Sequence, residues 1–392
     1  MNPYEKIIYF DNNATTKTDD EVISVMLPFL GEMYGNPSSM HTFGGQVAKD
    51  IRKAREQIAT ALGAVLPSEI VFTSCASESS NMAVRSILES NPEKKHLITT
   101  QVEHPCVLNL FKWLERHKNY KVTYIGVDSE GQLNLDELKV SIKEDTILVA
   151  CMWANNETGV IFPIKEIGKI IKEKNPNTYF FVDAVQAFGK IPVDLSDGII
   201  DLLSISGHKF HAPKGIGALY IRNKIKLRPL LIGGHQEKSR RAGTENVAGI
   251  VAMGHAAELA VKYLEDENTR VRALRDKLEQ GIISKIPYTK INGIGTERVP
   301  NTTNISFEYI EGELILLHLS DLNICASSGS ACTSDTLKPS HVLDAMGVPF
   351  SFLHGSIRFS LGRYNNEKEV DYVLEIMPQI IEKLARISPF RK

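Results

Sequence analysis

The stretch Tyr179-Phe180-Phe181-Val182-Asp183-Ala184-Val185-Gln186 is a short apolar run that ends in an acid and, three residues later, an amide. A run of this length and composition is typical of a buried strand in a parallel sheet. Similar runs occur at residues 70–73, 97–100, 122–125, 147–150 and 202–205, and another at 215–221 is predicted to be antiparallel. We therefore predict one mostly parallel, seven-stranded sheet.

Helical patterns separate these strands, for example at residues 46–62, 78–90 and 105–117, which is the alternation of an α/β fold. A longer helical pattern from 244 to 285 is followed by a second set of strands and helices: 304–307, 312–319, 356–360 and 368–387. We predict a large domain at 16–260, and a smaller α+β domain formed by 1–15 and 261–392.

The composition is that of an ordinary globular protein, with 392 residues of which 43% are hydrophobic and 23% charged. A formal net charge of -2 provides no broad field for attracting nucleic acid or an anionic membrane, so neither is expected as a direct partner. The first residues lack a secretory pattern, and no apolar run of about 18 residues indicates a membrane span. We therefore expect a cytoplasmic protein.

The five cysteines are widely spread, without a C-x-x-C pair or the histidine spacing of a zinc site. No disulfide framework and no catalytic metal are expected. Three cysteines are interpreted as small buried hydrophobes: Cys75, Cys106 and Cys151. Cys332 differs, because Ser327-Ser328-Gly329-Ser330-Ala331-Cys332-Thr333-Ser334 contains only small residues, which favours an exposed, mobile loop at about 325–336.

Lys209 follows a predicted strand in Ser204-Ile205-Ser206-Gly207-His208-Lys209. Residues just beyond the carboxyl ends of parallel strands line the ligand-binding crevice of such folds. A lysine there can form a Schiff base if desolvation or a nearby cation lets its amine lose a proton. Taken alone, a lysine at a strand end is more often a solvated surface charge.

Asp183 and Gln186 change that interpretation, because they follow the strand at 179–182. A carboxylate facing a pyridine nitrogen keeps it protonated, and only then is the ring an effective electron sink. Asp183 is the candidate for that contact, and Gln186 is the candidate donor to the phenolic oxygen of the ring. With Lys209, they predict a site for pyridoxal 5'-phosphate (PLP), although either residue taken singly also fits a helix cap.

A phosphate site is predicted in Thr73-Ser74-Cys75-Ala76-Ser77-Glu78-Ser79, where a strand leads into a helix with small hydroxyl residues. The helix N-terminus supplies partial positive charge, although an ordinary serine cap is the alternative. Ser206 and His208 are candidates to complete this site. His104 is a candidate to lie on the pyridine ring or to transfer protons near the reacting carbon.

This combination resembles the class V aminotransferase-like enzymes of PLP fold type I, and in particular the cysteine desulfurases of the NifS/IscS type. The resemblance covers nearly the whole chain. Six stretches carry it: Asp11-Asn12-Asn13-Ala14-Thr15-Thr16, Tyr34-Gly35-Asn36-Pro37-Ser38-Ser39, Ala154-Asn155-Asn156-Glu157-Thr158-Gly159, Ser206-Gly207-His208-Lys209, Arg241-Ala242-Gly243-Thr244 and Ser327-Ser328-Gly329-Ser330-Ala331-Cys332-Thr333-Ser334.

The resemblance implies that Lys209 forms the internal aldimine, that Asp183 pairs with the pyridine nitrogen and that His104 stacks on the ring. It assigns the other candidates by role: Ala76, Ser77, Ser206 and His208 for the phosphate, Thr244 for the phosphate of the neighbouring subunit, Gln186 and Asn156 for positioning the cofactor and substrate, Asn13 for the substrate, and Arg358 for the substrate carboxylate.

By the same resemblance, Cys332 attacks the sulfur of bound L-cysteine, which leaves L-alanine and an enzyme persulfide. The expected partners are a second copy of the chain and an iron-sulfur scaffold protein of the IscU/NifU type. Cys332 is also expected to ligate a shared iron-sulfur cluster transiently. IscS-type members carry a longer C-terminal tail, so the docking mode stays open, as does the choice between iron-sulfur cluster assembly and other thiolation acceptors.

Three alternatives use the same fold. An aminotransferase or a selenocysteine lyase would use Lys209 and Asp183 but would not need Cys332. A noncatalytic sulfur-transfer partner would have kept the fold without the chemistry, although Lys209 argues against it.

Overall fold

The computed structural model describes residues 7–328 and 339–388. The strands are β1 (Ile8–Tyr9), β2 (Ile70–Thr73), β3 (His96–Thr100), β4 (Lys121–Ile125), β5 (Thr146–Met152), β6 (Tyr179–Asp183), β7 (Leu202–Ser206), β8 (Gly217–Ile221), β9 (Thr289–Ile291), β10 (Thr302–Phe307), β11 (Ile324–Cys325) and β12 (Ser356–Ser360).

The helices are α1 (Asp20–Met26), α2 (Thr42–Ala61), α3 (Ala76–Ser90), α4 (Pro105–Lys118), α5 (Leu135–Ser141), α6 (Ile164–Lys174), α7 (Gln236–Ser239), α8 (Val247–Lys262), α9 (Leu264–Asp266), α10 (Arg272–Lys285), α11 (Gly312–Asp321), α12 (His341–Ala345), α13 (Phe350–Leu353) and α14 (Glu367–Ile387). Short 3-10 turns lie at Leu27–Leu30, Pro67–Glu69 and Gly207–Lys209, and a π-helical turn lies at Glu267–Val271.

The large sheet has seven strands in the order β2-β8-β7-β6-β5-β3-β4. Strand β8 is antiparallel to both of its neighbours, and the other pairs are parallel, which confirms the predicted mostly parallel sheet. Strands β5, β6 and β7 are buried along almost their whole length, so their near-continuous apolar runs in the sequence follow from burial on both faces.

Alternation of side chains divides the apolar residues of this sheet between two cores. On one face, Val149 and Cys151 belong to a cluster with residues of α2 and α8, two helices that pack closely together. On the other face, Leu148 and Ala150 belong to a cluster with residues of α3 and α4. The sheet is therefore the middle layer of three.

A third core lies between the small antiparallel sheet β12-β10-β9 and the helices α10, α11 and α14. Phe10 joins this core from the other end of the chain, beside β1, which pairs in parallel with β11. The predicted division of the chain at residue 260 stays a prediction. Most of the third core follows it, but Val342 and Leu343 pack with the α2 and α8 side of the large sheet.

The helical pattern predicted over 244–285 is several segments rather than one helix. Helix α8 begins after Asn246, whose side chain accepts a hydrogen bond from the Gly249 N–H at 3.1 Å. After Tyr263 the chain turns through α9 and the π-helical turn into α10, and Asn268 in that turn donates to the Lys190 carbonyl at 2.8 Å. The break thus ties the connecting helices to the segment that follows β6.

Over the described ranges, no single helix has the length and apolar composition to cross a membrane, and only the bent pair formed by α8 and residues 264–285, at 53°, meets that test when both parts are taken together.

Candidate active site

The carboxyl ends of β5, β6 and β7 meet at one edge of the large sheet, where a cavity of about 300 Å³ opens. Its lining side chains come from both halves of the chain: Asn13, Ala14, Cys75, Ala76, Ser77, His104, Cys106, Met152, Ala154, Asn156, Asp183, Val185, Gln186, Ser206, His208, Lys209 and Arg358. Of the predicted site residues that the structure describes, all but Thr244 line this cavity. The fold therefore gathers at one place residues that are widely separated in sequence.

Lys209 ends the 3-10 turn that follows β7, and its amine lies at the cavity. Its Nζ donates hydrogen bonds to the carbonyl oxygens of Asn13 at 2.6 Å and Ala14 at 2.9 Å. The turn requires Gly207, because a Cβ there would lie 2.9 Å from Cγ2 of Ile216. The chain segment after β1 thus holds the amine in place.

Asp183 is the last residue of β6 and is buried beside the cavity. Burial raises the pKa of its carboxyl group to about 6, against the opposing effects of the Val185 N–H and of Lys209. Its Oδ1 accepts the hydrogen bond from that N–H at 3.0 Å. A buried carboxylate is most stable next to a cation, so a protonated ring nitrogen is a fitting partner for it.

His104 precedes α4, and its Nδ1 accepts a hydrogen bond from the Cys106 N–H at 3.2 Å. Burial, with smaller effects from Lys209 and His341, lowers the pKa of this imidazole to about 4. The ring is therefore neutral near neutral pH. A neutral ring can lie against another aromatic ring without the cost of burying a charge.

The proposed phosphate end of the cavity is the first turn of α3, which contains Ala76 and Ser77. The residue before this helix is Cys75, and its side chain makes no capping hydrogen bond, so the first N–H groups of α3 have no acceptor from that residue. Burial lowers the pKa of His208 to about 4, with further lowering by nearby lysines, and its Nδ1 lies 3.2 Å from the Thr15 hydroxyl. Uncapped N–H groups with small side chains suit an anionic group.

Arg358 lies in β12, and its guanidinium group reaches the cavity from the smaller sheet. It donates to Asp11 Oδ1 at 2.8 Å and to the Asn156 carbonyl at 2.9 Å. Its buried Nε has no hydrogen-bond partner among the residues that the structure describes. Asp11 is thus a contact of the site that the sequence reasoning did not assign, although it begins the first of the quoted stretches.

Two of the cysteines interpreted as small buried hydrophobes line the cavity, namely Cys75 and Cys106. Burial raises the pKa of the Cys106 thiol, and it raises that of the fully buried Cys151 as well. Thiols with raised pKa values are poor nucleophiles near neutral pH, because the thiolate is the reactive form. Neither Cys106 nor Cys151 is therefore suited to accept sulfur.

Thr244 lines a different cavity, together with Arg241 and Gly243. Cys332 lies outside the described residues, so its predicted loop has no structural description. Residues of the described chain on either side of that segment contact Arg358, which lines the cavity, and Glu157, which follows the lining residue Asn156. The main chain of Ser327 pairs with that of Arg358, and the Ser340 hydroxyl donates to Oε2 of Glu157 at 2.5 Å.

Glu103 is a second acid that the sequence reasoning did not assign, and it is fully buried behind His104. Its Oε1 accepts hydrogen bonds from the Met152 N–H at 2.9 Å and the Thr100 hydroxyl at 2.8 Å, whereas Oε2 has no partner within the described part of the chain. Burial raises the pKa of Glu103 from 4.5 to about 8, so the group is protonated near neutral pH.

Glu103→Gln is expected to flatten the pH dependence of stability in the protein without cofactor. Between pH 4.5 and about 8 the folded chain holds a proton at Glu103 that the unfolded chain releases. The stabilising contribution is complete below that range and is lost as pH rises through it, at about 1.4 kcal/mol per pH unit. The free energy of unfolding, measured with urea at several pH values, should therefore fall less steeply with pH in the variant. Glu144→Gln, at an exposed position, is the control, and equal slopes in Glu103→Gln and the parent would contradict the prediction.

Comparison with known proteins agrees with this geometry. The family model described as Aminotransferase class-V matches residues 8–373. A protein from Nostoc sp. named "Cysteine desulfurase" is 60% identical over 385 residues, covering 98% of this chain and 95% of the relative. "Cysteine desulfurase NifS" of Azotobacter vinelandii is 51% identical over 383 residues, covering 98% of this chain and 94% of the relative.

Two solved structures also match over most of the chain. One titled "NIFS-LIKE PROTEIN" has a TM-score of 0.90 at 43% identity, and it covers 97% of this chain and 100% of its own. Another, titled "SspA in complex with cysteine", has a TM-score of 0.80 at 35% identity, and it covers 92% of this chain and 100% of its own. The chain belongs to the class-V aminotransferase family. Within that family it groups with the cysteine desulfurases of the NifS/IscS type, an assignment that confirms the resemblance inferred from the sequence.

Proposed function

We propose that this protein is a PLP-dependent cysteine desulfurase, which removes sulfur from L-cysteine to give L-alanine and a persulfide on Cys332. The observation that carries the proposal is the cavity in which Lys209, Asp183 and Arg358 meet. An amine for the aldehyde, a buried acid for the ring nitrogen and a guanidinium for a carboxylate are the groups that such a reaction requires.

The residues of the cavity fit PLP. Asp183 would face the pyridine nitrogen, His104 would lie on the ring, and the uncapped first turn of α3 would hold the phosphate. When bound, PLP would supply an electron sink that weakens the carbon-sulfur bond of the substrate. Ser206 and His208 lie beside Lys209 on the same wall and would contribute to the phosphate end.

The substrate is proposed to bind between the ring site and the smaller sheet. Arg358 would hold its carboxylate, and the Nε that lacks a partner among the described residues is one donor for this contact. Asp11 already occupies another donor of the same guanidinium, so substrate binding would share or displace that ion pair. Asn156 and Asn13 would complete the substrate side of the cavity.

Cys332 is proposed as the sulfur acceptor because of its sequence context and its neighbours in the chain. Ser327, five positions before Cys332, pairs through its main chain with Arg358, and Ser340, eight positions after Cys332, binds Glu157. Only three residues, Gly329 to Ala331, separate Ser328 from Cys332 in the sequence.

Three further proposals concern the setting of the reaction. We propose a homodimer, since Thr244 lies apart from the Lys209 cavity and the nearby Leu231 and Ile232 are exposed apolar residues. We propose a scaffold of the IscU/NifU type, or another thiolation acceptor, as the destination of the sulfur, and a cytoplasmic location. The family resemblance also supports the dimer and the scaffold, and the sequence composition supports the location.

The test is to incubate the purified protein with PLP and L-cysteine, and then to identify the products by mass spectrometry. We expect one alanine for each sulfur atom removed from cysteine. The peptide that contains Cys332 should gain the mass of one sulfur atom. Pyruvate or a keto acid in place of alanine would indicate another reaction on the same fold. A protein that binds no PLP and forms no alanine would refute the proposal.

A further inference from the structure

Lys190 is a buried lysine that neither the sequence reasoning nor the proposed reaction explains. Only 5% of its surface is exposed. Burying a charged amine away from water is costly unless hydrogen bonds compensate for the lost solvation, so its contacts indicate why it is retained. Burial lowers the pKa of Lys190 to about 7, with a further effect from the nearby Lys209. The group lies at the back of the cavity, beyond the side chains that line it.

The contacts of Lys190 lead directly to Gln186, one turn earlier in the chain. Its Nζ lies 2.5 Å from Oε1 of Gln186 and 3.2 Å from Oδ1 of Asn13. The other end of the Gln186 amide, Nε2, donates to the main-chain carbonyl of Asn13 at 3.0 Å. Both ends of the amide therefore have a partner on the same side of the cavity.

These partners allow only one orientation of the amide. A carbonyl oxygen cannot donate, so Asn13 requires the nitrogen of Gln186 on its side. Nζ of Lys190 carries N–H donors in both protonation states, which the Gln186 oxygen can accept, and its ammonium form has no lone pair and therefore cannot bond to the amide nitrogen. A rotation of the amide by 180° would place two acceptors together at Asn13 and two donors together at Lys190. The buried lysine and the Asn13 carbonyl thus together set which end of Gln186 faces which neighbour.

We propose that Lys190 is a positioning residue, which holds Gln186 so that its amide N–H, rather than its carbonyl, is offered to an acceptor in the cavity. The inference rests on the proposed function, in which that acceptor is the phenolic oxygen of PLP. A glutamine in the reversed orientation would present an oxygen to an oxygen and would weaken binding. Lys190 contributes in this way without lining the cavity itself.

A double-mutant cycle tests whether Lys190 acts through Gln186. The variants are Lys190→Met, which keeps most of the side-chain volume but removes the donors, Gln186→Ala, and the double variant. For each, the dissociation constant of PLP and the absorbance maximum of the loaded protein are measured. We expect Lys190→Met and Gln186→Ala each to weaken PLP binding on the order of tenfold, and to shift the absorbance maximum in the same direction.

The decisive result is the double variant. If Lys190 acts through Gln186, adding Lys190→Met to Gln186→Ala should weaken PLP binding by less than about twofold. Lys172→Met is the matched control, because Lys172 bonds to Asp201 and the Thr178 carbonyl away from the cavity, and it should leave PLP binding unchanged. Equal, additive losses from Lys190→Met in both backgrounds would overturn the proposal, since they would indicate a general structural role.

Gln186→Glu provides a test that does not depend on the folding of Lys190→Met. The carboxylate can keep a contact with Lys190 but has no N–H to offer, so PLP binding should weaken at least as much as in Gln186→Ala. Binding at the parent level in Gln186→Glu or in Lys190→Met would overturn the inference while the proposed function stands. A parent protein that binds no PLP would refute both.

Discussion

Replacing Cys332 with serine is expected to lower cysteine-dependent alanine formation on the order of a thousandfold and to eliminate the enzyme-bound sulfur. A serine hydroxyl is not ionised near neutral pH and does not form a stable bond of the persulfide kind, so the substrate sulfur would have no acceptor. The visible absorbance of bound PLP should persist, because the residues that hold the cofactor are unchanged. Alanine is measured by chromatography and the extra sulfur by mass spectrometry.

Cys325→Ser is the matched control for this variant. Cys325 lies in β11, where it pairs with Tyr9, and it does not line the cavity. The same chemical change at that position should leave alanine formation within about twofold of the parent. Unchanged alanine and unchanged bound sulfur in Cys332→Ser would show that another group accepts the sulfur. Sulfide release without any protein-bound sulfur in the parent would favour a lyase on the same fold.

Replacing Lys209 with alanine is expected to abolish the covalent link to PLP and to lower activity on the order of a thousandfold or more. The amine is the group in the cavity that can condense with the PLP aldehyde, and it lies 2.6 Å and 2.9 Å from the carbonyl oxygens that hold it. The variant should keep weak, noncovalent PLP binding through Asp183 and the first turn of α3. Borohydride reduction followed by peptide mapping distinguishes the two states, because only a covalent imine is trapped at residue 209.

Lys165→Ala is the control here, since Lys165 forms a surface ion pair with Asp197. Reduction of that variant should still place PLP on Lys209. A labelled peptide elsewhere in the parent, or full activity in Lys209→Ala, would show that a different lysine holds the cofactor.

The sheet and the part of the cavity around Lys209 could be predicted from local signals, whereas Asn13, Asn156 and Arg358 were assigned only through the family resemblance. Asp183, Ser206 and Lys209 each follow a buried apolar run, and parallel strands bring their carboxyl ends to one edge. Small shifts at element ends, such as the start of α2 at Thr42 rather than at residue 46, do not affect the site. The helical periodicity over 244–285 predicted one long helical stretch and gave no sign of the break after α8.

The contacts that depend on distant parts of the chain could not be predicted from local patterns. Lys190 follows Gly189 in a stretch that suggests a surface turn, and only folding places its amine against Asn13 and Gln186. Asp11 has no neighbour in sequence that suggests an ion pair with Arg358, 347 positions away. Such contacts arise when two halves of a chain close on each other, which no single window of sequence records.

The short segment after β1 has a consequence for the order in which this protein can mature. Asn12 donates its N–H to the Ser360 carbonyl at 3.0 Å, and the side chain of Ser360 accepts from Asn13, whose carbonyl holds Lys209. During synthesis Asn12 and Asn13 can therefore make these contacts only when nearly the whole chain has left the ribosome. The pocket around Lys209 is therefore completed late in folding, and a chain that ended before residue 360 would lack the contact that holds the Asn13 carbonyl against the lysine.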